Sequence, residues 1–443
     1  MPRPPLYLVF NPAAGANVAQ QLLHSHVEPL LKEKGVQVAR RYETKGAGDD
    51  ELIGQEIRRK VQASRGASAG IDVLLVGGDG TTHDVLQGLL ASESHSARIR
   101  LILVPAGTAN ALYAAIYPPE TSKRHRKDPH DKDSEHAWRL RSLRSYLRGE
   151  HDDDDEHTGA GANLYPLTIQ RTMLFLPYAK GEIHTRTHIV TSHALHAAIL
   201  HDSEALRSTH PGIERFKIAS AQNAVRWVEG QLTLRERGEH GVQVFDSREK
   251  RFVPCVGKRV LSGPFWYMIC PTVDRLEPSF VPAPFSSPSA KGQHDELARP
   301  PNALDLVLIR PLRDPIVQRH LRGDHARDAA PTAWDDETSR PAREAFAKAR
   351  AAQLTAAMYA EGRHVYLRYP CGGDAADDEQ LTEDGEGETV VEYYRCSGYE
   401  WCPAPASERA GLTCMDGTVV QAERTEVVVH GGRESAGRVS VWM

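Results

Sequence analysis

Three short stretches in the first 113 residues share one design: an apolar run, a cluster of small residues, then a helical pattern. They are "LYLVFNPAAGA" from Leu6, "IDVLLVGGDGTTHDVLQGLL" from Ile71 and "IRLILVPAGTANALY" from Ile99. Apolar runs this continuous belong to strands buried on both faces, which is the situation of a parallel sheet covered by helices. The intervening segments agree. "VAQQLLHSHVEPLLKEKG" has helical periodicity with Val18, Leu22, Leu23, Val27, Leu30 and Leu31 on one face, and it ends at Gly35. "VQVARRYET" reads as a strand, and "DDELIGQEIRRKVQAS" as a helix with acids in its first turn. Up to about residue 118 the pattern is therefore α/β.

The composition of the 443 residues excludes some functions: 40% are hydrophobic, 26% are charged and the formal net charge is -5. That leaves no overall basic field for nucleic acid. The opening "MPRPPLYLVF" has no signal-peptide pattern, and no run is as long and apolar as a spanning helix. Six cysteines lie between Cys255 and Cys414 without a CxxC pair, the usage expected of reduced cytoplasmic thiols. Any contact with a membrane is expected to be peripheral.

After Pro118 the texture changes. Residues 118–161 form a charged insertion with "KRHRKDPHDKDSEH" and "EHDDDDEH", expected to be solvated loop apart from a helix near Trp138 to Leu147. From about Asn163 short alternating runs such as "TMLFLPYA", "FWYMICPTV", "ALDLVLIRP", "TEVVVH" and "RVSVWM" predict an all-β region. The expected division is an α/β domain over 1–162 and a β-sandwich domain over 163–443. Insertions fall near 284–301, 322–361 and 371–388. The histidines of "HTRTHIVTSHALHAAILH" lack an HExxH spacing and are expected at the surface or lining a cleft. Together with the self-repelling acidic runs, they give no metal centre. "PFWYMIC" reads as β-core.

The chemistry concentrates in the three small-residue loops, Asn11 to Ala16, Gly77 to Thr82 and Pro105 to Asn110. At the carboxyl ends of parallel strands, helix N-termini offer unbonded N–H groups and a positive dipole end to anions. Glycine lets a phosphate approach the backbone, and Thr81, Thr82 and Thr108 could add hydroxyl donors. Neither GxxxxGK[ST] nor an early GxGxxG is present, so P-loop and dinucleotide-binding Rossmann readings fail. The odd feature is Asp79, a carboxylate placed where an anion should bind. It is a candidate to take a proton from an attacking hydroxyl, or to meet Mg²⁺ indirectly.

The ordered set "VFNPAAG", "VGGDGTTHDVLQGL" and "VPAGTANALY" resembles the catalytic domain of the diacylglycerol kinase and sphingosine/ceramide kinase superfamily. "HDSEALR" with "GIERFK", and the run from "VVEYYRCSGYEW" to "CMDGT", resemble later parts of the same family. The resemblance implies an N-terminal α/β domain like that of NAD kinases and 6-phosphofructokinases, followed by a β-sandwich. It implies ATP and Mg²⁺ as cofactors and transfer of the γ-phosphate to a membrane-lipid hydroxyl. Sphingoid bases, ceramide and diacylglycerol are the candidate acceptors.

Carried over residue by residue, Asp79 is catalytic. Asn11, Gly15, Thr44, Gly78, Gly80, Thr81, Asp84, Gly107, Thr108 and Asn110 line the nucleotide site. Arg207 and Arg215 reach the phosphates, and Asp416 with Gly417 forms the turn of the β-domain. Two positions depart from the family: Thr418 stands where that turn has Glu, and Ala198 where sphingosine kinases carry the aspartate that meets the substrate amine. An NAD-kinase-like small-molecule kinase, or a member that binds without transferring phosphate, is the alternative.

Overall fold

The computed structural model describes residues 4–15, 18–46, 48–63, 70–92, 97–118, 132–149, 164–177, 181–210, 212–257, 259–287, 296–323, 334, 337–370, 380–430 and 438–443. "KRHRK", "HDDDD" and the acidic stretch 371–379 lie outside them. The contacts divide the chain into two compact units. One comprises Met1–Ile169, Leu276–Pro278 and His430–Met443; the other comprises Gln170–Arg275 and Ser279–Val429.

In the first unit the expected strands form β1 (Leu6–Phe10), β2 (Val38–Glu43), β3 (Ile71–Gly77) and β4 (Ile99–Pro105). They pair in parallel in the order β2-β1-β3-β4. The helices are α1 (Val18–Leu22), α2 (Glu28–Glu33), α3 (Asp49–Ala63), α4 (Asp79–Leu90) and α5 (Ala111–Ile116), with a π-helical turn Leu23–Val27 joining the first two. Leu22, Leu23, Val27 and Leu31 are buried as the periodicity predicts, while Val18 and Leu30 pack at the edge of the same core. Helices α3 and α4 cross at two glycines. A Cβ on Gly88 would lie 2.1 Å from the Glu51 carbonyl oxygen, and one on Gly54 2.3 Å from that of Val85.

Two expectations change here. The segment "RVSVWM", read as part of the all-β region, supplies strand Val439–Trp442, which adds to β4 in parallel and to β5 (Leu164–Pro166) antiparallel. The single helix expected near Trp138 is two, α6 (Lys132–Arg139) and α7 (Arg141–Gly149), and neither is a solvated loop. Leu140, Leu143, Tyr146 and Leu147 join the core beside Trp442. Hydroxyls lock the pair: Tyr117 and Ser142 both donate to the Trp442 carbonyl, at 2.8 and 2.7 Å.

The second unit is mostly β, as the alternation predicts, but not all β. Its eight-stranded sheet runs, in spatial order, Arg251–Pro254, Gln243–Asp246, Glu392–Cys396, Leu304–Ile309, Tyr267–Pro271, Val190–His193, Leu412–Met415 and Thr418–Gln421. A six-stranded sheet runs Val260–Ser262, Gly230–Arg235, Gly398–Pro403, Arg424–Val429, Gln170–Phe175 and Glu182–Thr187. Their facing side chains, among them Leu232, Phe265, Met268, Leu306, Tyr399 and Trp401, form one core. The helices missed by the strand reading include α8 (Ala194–Ala205) and α9 (Glu214–Asn223). Reading "HTRTHIVTSHALHAAIL" by its strand-like front half hid the helix behind it. His188 and His193 also depart from the surface expectation, being 2% and 0% exposed.

Candidate active site

The three small-residue loops meet at the carboxyl ends of β1, β3 and β4 because those strands are neighbours in register. Their backbones touch closely. The Cβ that Gly107 lacks would sit 2.8 Å from the Gly78 Cα, and that of Gly15, whose φ is +62°, 2.0 Å from the Ala106 carbonyl oxygen. Any side chain at these positions would push the loops apart. Polar side chains then tie one loop to the next. Asn11 donates from Nδ2 to Thr81 Oγ1 at 2.9 Å, and its Oδ1 accepts from the Ala13 N–H at 3.0 Å. Asn110, in the left-handed region with φ 51°, accepts from the Gly107 N–H at 2.9 Å and donates to the Gly107 carbonyl at 2.8 Å. Thr44 is buried at the end of β2, its N–H bonded to the Phe10 carbonyl.

Asp79 opens α4 but does not cap its own helix. Its Oδ2 accepts the Ala111 N–H at 2.8 Å and its Oδ1 the Leu112 N–H at 3.4 Å, so the carboxylate closes the N-terminus of α5. That is a favourable place for a negative charge, contributing on the order of 1 kcal/mol. It also resolves the oddity of a carboxylate in an anion site, because α5 compensates Asp79. In the first turn of α4 Thr81 and Thr82 are buried, whereas Gly80 and, on the neighbouring loop, Thr108 are exposed, and nothing lies within 4 Å of where a Gly80 Cβ would be. The first N–H groups of a helix have no intrahelical acceptor. The space lined by Gly78, Asp79, Asn110 and Tyr113 is about 10 Å³, room for about one water, so it holds no nucleotide.

Asp84, one turn along α4, is half-buried, and burial raises its pKa, opposed by His83 and assisted by Glu51. Its electrostatic neighbour was not foreseen. Asp50, 7% exposed in the first turn of α3, is pushed up to about 7 by burial, then by Asp84 and Asp49. The signal was available: Asp50 lies on the buried stripe of α3 with Ile53, Gly54, Ile57 and Val61.

The remaining candidates belong to the second unit. Arg207 is exposed and paired with Glu204 at 2.7 Å. The Arg215 guanidinium stacks on Phe216, and its Nε has no hydrogen-bond partner among the described residues. Its pKa is lowered by burial and by the charge of Arg207, against the pull of Glu204. Two cations that disfavour each other in this way would both gain from an anion between them.

Asp416 and Gly417 have left-handed φ values of 48° and 101° and form the tight turn between Leu412–Met415 and Thr418–Gln421. The Asp416 carboxylate accepts the N–H groups of His188, Ile189 and Val190 at 2.9, 3.0 and 2.8 Å and meets His188 Nδ1 at 2.8 Å. The side chain is wholly buried.

Residues 5–131 match the family model "Diacylglycerol kinase catalytic domain". The match covers under a third of the chain and bears out its likeness to the diacylglycerol kinase and sphingosine kinase superfamily. Among curated proteins, human sphingosine kinase 1 is 32% identical over 119 residues, covering 26% of this chain and 29% of that protein. Sphingosine kinase 1 of Arabidopsis thaliana is 32% identical over 120 residues, covering 26% and 23%. The match thus spans under a third of each relative. A solved Bacillus anthracis chain proposed to be a diacylglycerol kinase is 13% identical, with TM-score 0.49, over 98% of this chain and 94% of that one.

Proposed function

We propose that the chain is an ATP-dependent lipid kinase whose nucleotide phosphates lie on the open side of the three loops in the catalytic domain. The observation that carries this reading is the contact of Gly78 with Gly107 beneath the first turn of α4. It leaves no Cβ between an anion and the backbone at these two glycines. The curated relatives are named sphingosine kinases, which supports a lipid acceptor.

Phosphoryl transfer asks for positioning, charge neutralisation and an acceptor for the hydroxyl proton. The first turn of α4 and the Thr108 region supply donors. Arg207 and Arg215 are the cations the family resemblance assigns to the phosphates. Asp79 orients the attacking hydroxyl and takes its proton as the new P–O bond forms. Bound Mg²⁺ would neutralise phosphate charge, and Asp79 fits it as a carboxylate whose oxygens can accept more than one bond each.

The acceptor we favour is a neutral lipid alcohol. Ala198 is buried and offers no charge to an amine. The acids nearest to it in sequence are engaged. Burial raises Asp202, but hydrogen bonds from Arg409, His201 and Asn223 outweigh it and hold the carboxyl down at about 2. Glu204 pairs with Arg207. A reading without transfer draws on Thr418, which is exposed and holds no carboxylate where the family has Glu.

The test is labelled ATP with Mg²⁺ and a panel of diacylglycerol, monoacylglycerol, ceramide and sphingosine, beside Asp79→Asn. Labelled diacylglycerol or monoacylglycerol, lost in the variant, is the expected result. Sphingosine as the preferred acceptor would overturn the neutral-alcohol assignment, and nucleotide binding without any transfer would favour the second reading.

A further inference from the structure

Strand β4 is longer than its partner on one side. The last strand covers it only through Ile99, Arg100 and Leu101, whereas β3 pairs with it along its whole length. Leu103 and Pro105 present their backbone groups to the same side as Ile99 and Leu101, where no strand continues. Two side chains of the α6–α7 hairpin take the missing strand's place. Ser142 Oγ accepts the Leu103 N–H at 3.1 Å, and Arg139 Nη1 donates to the Pro105 carbonyl at 2.5 Å.

The second of these bonds acts on the glycine loop directly. The Pro105 carbonyl and the Ala106 N–H belong to one planar peptide unit. Arg139 holds that unit at its oxygen, and the Gly77 carbonyl holds it at its nitrogen, where Ala106 donates at 2.7 Å. The next carbonyl, of Ala106, is the atom packed against Gly15. Asp79 secures the far end of the same loop at Ala111. The hairpin also grips the following helix: Trp138 Nε1 donates to the Tyr117 carbonyl at 2.9 Å, and Tyr113 Oη donates to the Trp138 carbonyl at 2.5 Å.

We propose that the α6–α7 hairpin serves as a substitute strand that sets the Pro105–Asn110 loop in its phosphate-binding position, with Arg139 as the positioning residue. The proposal rests on the nucleotide reading given above, and it assigns a task to a helical hairpin within the charged insertion. Arg139 acts on the nucleotide through the backbone of the loop. Its loss is therefore felt as looser loop order and weaker nucleotide binding, while the hydrophobic seat of the hairpin, Leu140, Leu143, Tyr146 and Leu147, stays in place.

The experiment compares the full chain with Arg139→Ala, Arg139→Lys and the surface control Arg144→Ala. MgATP affinity is measured by calorimetry, amide exchange over residues 103–112 by mass spectrometry, and the melting temperature alongside. Arg139→Ala is expected to bind MgATP about 10-fold more weakly and to exchange faster over 103–112, with the melting temperature nearly unchanged. Arg139→Lys, which can still donate to the Pro105 carbonyl, is expected to recover most of that loss, and Arg144→Ala to behave as the unaltered chain. A merely structural role would move the melting temperature and leave affinity intact. Unchanged MgATP affinity and unchanged exchange in Arg139→Ala would overturn the proposal. An unaltered chain that binds no MgATP would instead sink the nucleotide reading, and the exchange measurement would still decide whether Arg139 holds the loop.

Discussion

Of the three Asp-Gly dipeptides in the chain, two, Asp79–Gly80 and Asp416–Gly417, carry carboxylates that accept backbone N–H groups from a separate segment. Their surroundings separate them. Asp416 sits in a left-handed turn, is wholly buried, and commits both oxygens to three N–H groups and to His188. Asp79 begins a helix, is half-buried, and takes one short and one long N–H contact beside the exposed Gly80. The same two residues thus make a turn lock in one place and a group able to meet a substrate in the other. What separates them is whether the bonds enclose the carboxylate or merely steady it.

Removing only the charge breaks this comparison most sharply. Asp79→Asn keeps an oxygen for the Ala111 N–H, so the melting temperature should stay within about 3 °C, while lipid phosphorylation should fall by about 10³-fold. The matching change, Asp416→Asn, leaves one acceptor oxygen for three N–H groups. It should cost about 3 kcal/mol in urea unfolding and leave MgATP affinity unaltered in the protein that remains folded. Kinetics and stability thus exchange places between the two aspartates. A loss of transfer chemistry in Asp416→Asn at full stability would mean that the turn, too, carries a working group.

Smaller effects sharpen the picture of the loops. Gly107→Ala puts a Cβ 2.8 Å from the Gly78 Cα, both of them backbone neighbours that cannot rotate away. We expect about 2 kcal/mol of destabilisation and a loss of MgATP affinity together, read by denaturation and calorimetry. A last, pH-dependent effect concerns Asp50. Burial holds its carboxyl up to about 7, against the usual 3.8 of an aspartate. The stability that this group contributes is therefore complete below about pH 4 and is lost as pH rises through about 7. The stability advantage of Asp50→Asn over the unaltered chain should be absent at pH 4 and grow as pH rises to 8. Equal melting temperatures of the two proteins at pH 8 would show that burial and Asp84 do not hold the Asp50 carboxyl up.

How far the sequence can be read depends on the range of the interactions involved. The strands β1 to β4 and the glycine loops are legible because burial and turn chemistry are written in adjacent residues. The candidate residues Asn11, Gly15, Gly78, Asp79, Gly107 and Asn110 do come together in one place. The α6–α7 hairpin was half-legible. Leu140, Leu143 and Leu147 keep the helical spacing that one expected helix near Trp138 to Leu147 rests on, but the charged residues before them hide the first helix of the pair. Helix α8 was lost because strand-like residues directly precede it.

By itself, then, the sequence determined the parallel α/β order of the first domain and the three loops that end its strands. Those are local consequences of apolar runs and of glycines without a Cβ. Only the tertiary structure decided which helix Asp79 caps, which strand the last residues join, and what holds the open side of β4. Each of these joins atoms from 32 to 340 positions apart. A one-dimensional pattern carries no distance between them, so only folding can bring the partners together.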